Sequence, residues 1–269
     1  MTSSANDSLN FLELRDIARD AAGKAGEYIL FESQQSISYE TKSTSSDFVT
    51  DVDKRTEALI VDLIKSHRPN DGFFGEEGTA QEGDSNVLWV IDPIDGTTNF
   101  IHRHPGFGVS IAAKVAGEIV AGAVADPVHG EVFDAATNHG ARCNGKEIKL
   151  TRSAKLETSL VATGFSYEDT KRANQAKALL TILPSIADIR RMGSAAIDLC
   201  SVATGRVDAF FETGLNEWDI AAGSLIASEA GCTTLTIHDF GEEILTVAVN
   251  PSIEAQFLEL LYLAVENMG

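Results

Sequence analysis

The apolar positions of the first third follow two helical repeats separated by polar breaks. Over residues 9–31, Leu9, Leu12, Ile17, Ala21, Ala25 and Ile29 recur at steps of three to five with charges between them. That spacing is one face of a helix, weakened a little by Gly23 and Gly26. Residues 36–41 alternate like a short strand, and 43–46 form a Ser/Thr turn. A second amphipathic helix is expected over 52–67, with Leu59, Ile60, Leu63 and Ile64 on one face and Pro69 as its stop. The run 72–75 reads as a short strand, 79–85 as a polar loop, and 87–91 as a buried strand ending at Asp92. Strand patterns then crowd together at 109–115, 119–125 and 131–135, with a hairpin through Asn144-Gly145.

Beyond residue 150 the pattern changes. Strands are expected at 159–163, 208–212, 233–236 and 245–249, and helices at 169–183, 195–203, 220–230 and 253–265. Strands interleaved with helices imply a layered α/β architecture. A loose boundary near 151–155 divides the chain into an N-terminal α+β half, 1–150, and a C-terminal α/β half, 151–269.

Charge and cysteine content narrow the function. The 269 residues carry 21 Lys and Arg against 40 Asp and Glu, a formal net charge of −19. Such a chain is a poor match for polyphosphate backbones or anionic lipid, which need clustered cations, and suits a partner that brings metal ions. Three separated cysteines, Cys143, Cys200 and Cys232, form no CxxC or Cys/His spacing, which argues against a disulfide scaffold or a zinc site. The first ten residues have neither the basic nor the apolar segment of a secretory leader, and no apolar run reaches the ~18 residues of a membrane span. A cytoplasmic location is expected.

The strongest chemical signal is Trp89-Val90-Ile91-Asp92-Pro93-Ile94-Asp95-Gly96-Thr97-Thr98-Asn99-Phe100. An apolar strand ends in two acids three residues apart, with Pro93 expected to turn the chain out of the sheet. Two carboxylates held close repel unless a cation lies between them, and oxygen-only ligands select hard cations such as Mg²⁺. Gly96-Thr97 opens a helical turn whose N–H groups suit a phosphate. The same residues can equally make an Asp-Pro turn with a side-chain cap. Asp47-Phe48-Val49-Thr50-Asp51-Val52-Asp53 places three acids before a helix, where the dipole alone favours them. Gly75-Glu76-Glu77-Gly78 reads as a solvated turn or as a backbone approach to a site. In Glu217-Trp218-Asp219-Ile220-Ala221-Ala222-Gly223, Trp218 packs, Asp219 caps a helix or binds metal, and the small residues allow close helix contact. Two lookalikes fail. Residues 140–147 have Glu147 where a P-loop needs Ser or Thr, and Gly106-Phe107-Gly108 lacks the third glycine of a dinucleotide motif.

Taken together, these motifs resemble those of the inositol monophosphatase family, in the family's order and over nearly the whole chain. The resemblance implies a layered α-β-α-β-α sandwich of the sugar-phosphatase type, Mg²⁺ as cofactor, lithium sensitivity and a homodimer. It implies that Glu76, Asp92 and the Ile94 carbonyl hold one Mg²⁺ and that Asp92, Asp95 and Asp219 hold a second, with Glu76 also near a weaker third ion. Asp53, Thr97 and Glu76 become the catalytic group, with Asp53 and Thr97 orienting and deprotonating the attacking water. The Gly96 and Thr97 N–H groups bind phosphate. Gly193, Ser194, Ala195 and Glu212 face the substrate, and Lys42 lies near the phosphate.

The implied reaction is hydrolysis of a small polyol phosphate, with myo-inositol 1-phosphate favoured and histidinol phosphate second. Fructose 1,6-bisphosphate and 3′-phosphoadenosine 5′-phosphate are more distant options. The rival of another class is a non-catalytic regulatory protein on the same fold. Every carboxylate of the pattern is present, which favours an enzyme acting on a small phosphorylated polyol, with neither nucleic acid nor membrane as partner.

Overall fold

A computed structural model describes residues 10–36, 39–41, 48–240 and 243–266. Lys42, Asp47 and the turn expected at 43–46 lie outside the described residues. The chain runs α1 (Phe11–Glu32), β1 (Tyr39–Thr41), β2 (Phe48–Thr50), α2 (Asp51–Lys65), β3 (Gly72–Gly75), β4 (Ala80–Gln81), β5 (Val87–Asp95), α3 (Thr97–His102), β6 (Gly108–Val115), β7 (Glu118–Asp126), β8 (Glu131–Ala136), β9 (Ala141–Cys143) and β10 (Lys146–Ile148). It continues through β11 (Leu160–Thr163), α4 (Asp169–Ile182), β12 (Asp188–Arg190), α5 (Ala195–Ala203), β13 (Ala209–Thr213), α6 (Glu217–Glu229), β14 (Thr233–Phe240), β15 (Glu243–Val249) and α7 (Glu254–Glu266).

The strands make an eight-stranded sheet of order β10-β9-β8-β7-β6-β5-β3-β4 and a five-stranded sheet of order β12-β11-β13-β15-β14, beside the small β1-β2 pair. Three apolar clusters define five layers. Leu14, Ile29, Ile60, Trp89 and Ile91 pack α1 and α2 on one face of the large sheet. Val90, Ala112, Val124, Leu199, Phe210, Ala222 and Ala248 join its other face, through α5 and α6, to the small sheet. Val161, Phe211, Val247, Phe257 and Leu261 close the far face of the small sheet under α4 and α7. The alternation of Trp89, Val90 and Ile91 between two clusters is why this segment is apolar throughout: a strand covered on both faces has no solvent side. The α-β-α-β-α sandwich of the sugar-phosphatase type is therefore the observed architecture.

The small residues at 221–223 do pack closely. A Cβ on Gly223 would meet the Leu199 side chain at 2.8 Å, and one on Gly122 would meet Ala222 at 3.1 Å. Four expectations need correction. Pro93 does not end its strand: β5 continues to Asp95, pairing Asp92 with Ser110 and Asp95 with Gly108. Three steps on β5 thus face two on β6, a bulge, which tolerates proline inside a sheet. The helix expected from 220 begins at Glu217, the polar segment 79–85 contributes β4, and β12 was unforeseen. Both of these strands are edge pieces of two or three residues, too short for an alternating pattern to register.

Candidate active site

Parallel pairing of β3 with β5 sets Gly75 opposite Ile91. The next residue on each chain is therefore an acid, Glu76 beside Asp92. The Glu76 N–H donates to the Ile91 carbonyl at 3.1 Å, and the Glu76 carboxyl is among the groups that raise the proton affinity of Asp92. The turn after β3 is held from below by Glu57 of α2. Its carboxylate accepts from the N–H groups of Glu77 (2.8 Å) and Thr79 (3.0 Å). A Cβ at Gly75 would lie 2.2 Å from Glu57 Oε2, so any side chain there would push the Glu57 carboxylate from its place. Glu57 was missed in the sequence. The available signal was a charge on the buried face of α2, shared with Ile60, Val61 and Ile64.

The bulge in β5 presents Asp92 and Asp95 to one cleft of about 540 Å³, whose inner end is also lined by Glu76, Ile94, Gly96, Thr97 and Asp219. Asp92 Oδ1 accepts from the Ile94 N–H at 3.0 Å. Asp95 Oδ2 accepts from Ser194 Oγ and from the Ala196 N–H, both at 2.7 Å. Asp219, in the first turn of α6, accepts the Asn216 N–H at 2.6 Å. It therefore caps its helix and lines the cleft at once. Trp218 packs on Phe74 with ring centroids 5.2 Å apart, and Glu217 ties the start of α6 to β6 through Lys114 at 2.6 Å.

Gly96 leads into α3 with φ of 93°, a left-handed conformation. A Cβ there would meet the Gly106 carbonyl at 2.6 Å and the Gly193 carbonyl at 3.0 Å. Asn99 binds the same three segments together, its amide donating to the Gly106 (2.7 Å) and Met192 (2.6 Å) carbonyls. Thr97 Oγ1 lies 3.0 Å from the Ile94 carbonyl and 3.3 Å from Asp53 Oδ1. Asp53 is wholly buried. Its Oδ2 accepts from the Thr50 N–H (2.8 Å) and hydroxyl (2.5 Å), closing a capping box at the start of α2.

Substrate-side expectations divide. Gly193, Ala195 and Glu212 line the cleft. Ser194 does not face it: the residue is buried, and its hydroxyl donates to Asp95 while accepting the Ile197 N–H at 3.3 Å as the cap of α5. A helix-capping serine cannot also present its hydroxyl outward, so the expected substrate role of Ser194 becomes support of Asp95. Buried Gly164 also lines the cleft, whose more exposed outer end adds Tyr167, Lys171, Arg191 and Glu243.

The electrostatics are those of crowded acids. Burial, then Glu76, Asp95 and Asp219, push the Asp92 carboxyl well above the usual carboxylate range. Burial lifts Asp95 to about 6 against the help of Ser194 and Ala196. Burial, then the Asp95 charge, lifts Asp219 to about 8. Burial lifts Glu212 to about 8, Arg191 opposing and Asp95 and Asp219 assisting. Asp198, another residue missed in the sequence, is buried in the first turns of α5 with neither carboxyl oxygen hydrogen-bonded. Its carboxyl is raised strongly by burial and by the charges of Glu212 and Asp95.

An all-oxygen set whose members raise one another's proton affinity has the chemistry of a hard-cation site. Among the described residues no three His, Cys, Asp or Glu side chains are placed to hold a metal ion between them. Asp92, Asp95 and Asp219 each commit an oxygen to a protein donor, which leaves an open set to be completed by water. That fits Mg²⁺, which dehydrates reluctantly and is usually held by few carboxylates.

Fold and cleft together define a phosphatase-type sandwich, and the chain belongs to the inositol monophosphatase family, whose model matches residues 11–265. Among its relatives, the inositol-1-monophosphatase of Mycobacterium bovis is 44% identical over 232 residues, 82% of this chain and 80% of the relative. A Pasteurella multocida protein named Nus factor SuhB is 43% identical over 220 residues, 80% of this chain and 82% of the relative. The crystal structure of extragenic suppressor protein suhB from Bartonella henselae superposes with a TM-score of 0.85 at 32% identity, covering 94% of this chain and 98% of that one.

Proposed function

We propose that the protein hydrolyses the phosphate monoester of a small polyol with Mg²⁺, and that myo-inositol 1-phosphate is its preferred substrate. The observation that carries this reading is the gathering of Glu76, Asp92, Asp95 and Asp219 in one cleft beside the first turn of α3. Mg²⁺ held by Glu76, Asp92, the Ile94 carbonyl, Asp95 and Asp219 would offset the charge of the phosphate dianion and acidify a bound water.

The remaining work falls to the chain. With the Ile94 carbonyl engaged as a ligand, the Thr97 hydroxyl has Asp53 as its acceptor, and its lone pairs face the cleft to take a hydrogen bond from the attacking water. Asp53, fixed by Thr50, holds that hydroxyl in one orientation and receives the proton. Glu76 borders the same water, and the N–H groups of Gly96 and Thr97 hold the phosphate. Gly193, Ala195 and Glu212 meet the alcohol portion. No helix among the described residues is long and apolar enough to cross a membrane. A cytoplasmic homodimer is our reading by analogy with the family alone.

The test is phosphate release from myo-inositol 1-phosphate, histidinol phosphate and glycerol 2-phosphate, with and without Mg²⁺. Turnover that requires Mg²⁺ and ranks the inositol ester first supports the reading, and preference for histidinol phosphate replaces the substrate while leaving the site. A second reading is favoured by the relatives named Nus factor SuhB: the fold serves a regulatory complex. The charge of −19 opposes an unaided grip on nucleic acid, so the partner in that case is a protein. Absence of turnover on all three esters at saturating Mg²⁺ would select it.

A further inference from the structure

Glu212 owes its place in the cleft to what is missing opposite it. Strands β11 and β13 run parallel with Thr163 facing Phe211, and the Thr163 hydroxyl donates to the Phe211 carbonyl at 2.8 Å. The next residues in register are Gly164 and Glu212. Gly164 is buried, and the Glu212 carboxyl lies flat against it. A Cβ built on Gly164 would sit 2.0 Å from Glu212 Oε1 and 2.1 Å from both Cδ and Oε2. Unlike Gly96 or Gly193, Gly164 shows no positive φ, so backbone strain does not explain the glycine. Space does, and the group that fills the space is the substrate-side acid.

We propose that Gly164 is a specificity-determining position, whose missing side chain lets Glu212 lie against the cleft wall and meet a polyol's hydroxyls at the correct depth. The inference rests on the reading of Glu212 as the residue that meets the alcohol portion. A methyl at 164 cannot share this space, because real Cβ contacts essentially never fall below 3.0 Å. The obstructing atoms are the far end of a flexible side chain, so the fold can survive if the carboxyl retreats by about 1 Å, from 2.0 to 3.0 Å or more. A shift of that size is large for recognition: misplacement by ~1 Å can cost as much as ~100-fold. Retreat also carries Glu212 away from the wall whose burial raises its proton affinity. Asp92, Asp95 and Asp219, on β5 and α6, take their own hydrogen bonds from other groups.

The experiment is a double-mutant cycle of G164A and E212D, read by thermal midpoint and by steady-state kinetics on myo-inositol 1-phosphate and glycerol 2-phosphate with Mg²⁺. The shorter acid withdraws its carboxyl by one methylene and makes room for the methyl. We expect G164A alone to raise KM for the inositol ester roughly tenfold, with kcat changed less and the small ester affected less. In the E212D background the same substitution should cost almost nothing, because contacting residues are non-additive. Equal cost in both backgrounds, or an unchanged KM in G164A, overturns the proposal. If E212D by itself leaves KM for the inositol ester at the wild-type value, the reading of Glu212 fails. The midpoint cycle then still decides whether Gly164 makes room for Glu212. Should G164A fail to fold, recovery of folding in the double variant supports the contact, and its failure there refutes it.

Discussion

The two ends of the cleft are built on different terms. At the inner end Asp92, Asp95 and Asp219 stand on a strand bulge or a helix start, each tied to a backbone or hydroxyl donor at 2.6–3.0 Å. At the outer end the charged groups pair in solvent. Lys171, in the first turn of α4, reaches Glu168 at 2.8 Å and Glu243 at 3.6 Å, with side chains that stay 21–56% exposed. Polar side chains provide the tether there: Gln175 donates to Thr213 at 2.8 Å, and Thr213 to Glu243 at 2.6 Å. Burial makes the inner acids repel one another and demand a cation. Exposure lets the outer charges move with little cost. Fixed geometry lies where the backbone supplies the restraint, and the exposed ion pairs at the other end are held only by side chains that can adapt.

Asp92→Asn breaks the inner end at its centre and should have the largest effect. Loss of electrostatic stabilisation of this kind costs ~10²-fold or more in kcat. The variant should nonetheless melt higher than wild type without Mg²⁺, because a neutral side chain removes the cost of burying a carboxylate and of setting it against Glu76, Asp95 and Asp219. Retention of more than about a tenth of the wild-type rate at saturating Mg²⁺ would sink the assignment.

Glu57→Ala reaches the same end indirectly. It leaves the Glu77 and Thr79 N–H groups without their acceptor, a loss of ~1–3 kcal/mol by urea unfolding. Because the loosened turn carries Glu76, the Mg²⁺ concentration for half-maximal rate should also rise. Loss of stability with unchanged Mg²⁺ dependence would mean that Glu57 supports only the fold.

Asp198→Asn sharpens the comparison through pH. The carboxyl of Asp198 is raised in the folded protein. Its contribution to stability is complete below the unfolded value near ~4 and is lost as pH rises through the folded value. Asparagine has no such proton to lose. The midpoint difference, variant minus wild type, should therefore grow as pH increases from about 5 to 9. Glu212 and Asp219, both at about 8, add to the same decline in the Mg²⁺-free protein. A midpoint difference independent of pH would show that Asp198 is charged throughout.

The smallest effect belongs to the outer end. Lys171→Met should leave the thermal midpoint within about a degree, since exposed ion pairs contribute little. KM for a polyol phosphate should change about twofold or less. A large rise in KM would make Lys171 a direct ligand of the substrate and remove the contrast between the two ends.

Local patterns carried much of this protein. Periodicity located the long helices α1 and α2 and the covered strands, because those segments bury one face or two over many residues. The order of motifs around Glu76, Asp92 and Asp219 located the cleft, because these acids are bound to fixed turns and helix starts. What chain order could not express was contact between distant segments. Pro93 looks like the end of a strand until β6 is paired against it and the bulge absorbs the extra residue. Ser194 looks like a substrate contact until Asp95, 99 positions away, takes its hydroxyl. Glu57, Gly164 and Asp198 carry no motif at all, since each acquires its meaning from a partner more than ten residues distant. Short-range geometry is written into neighbouring residues, whereas a buried carboxyl's partner, or its lack of one, is decided only when the layers close.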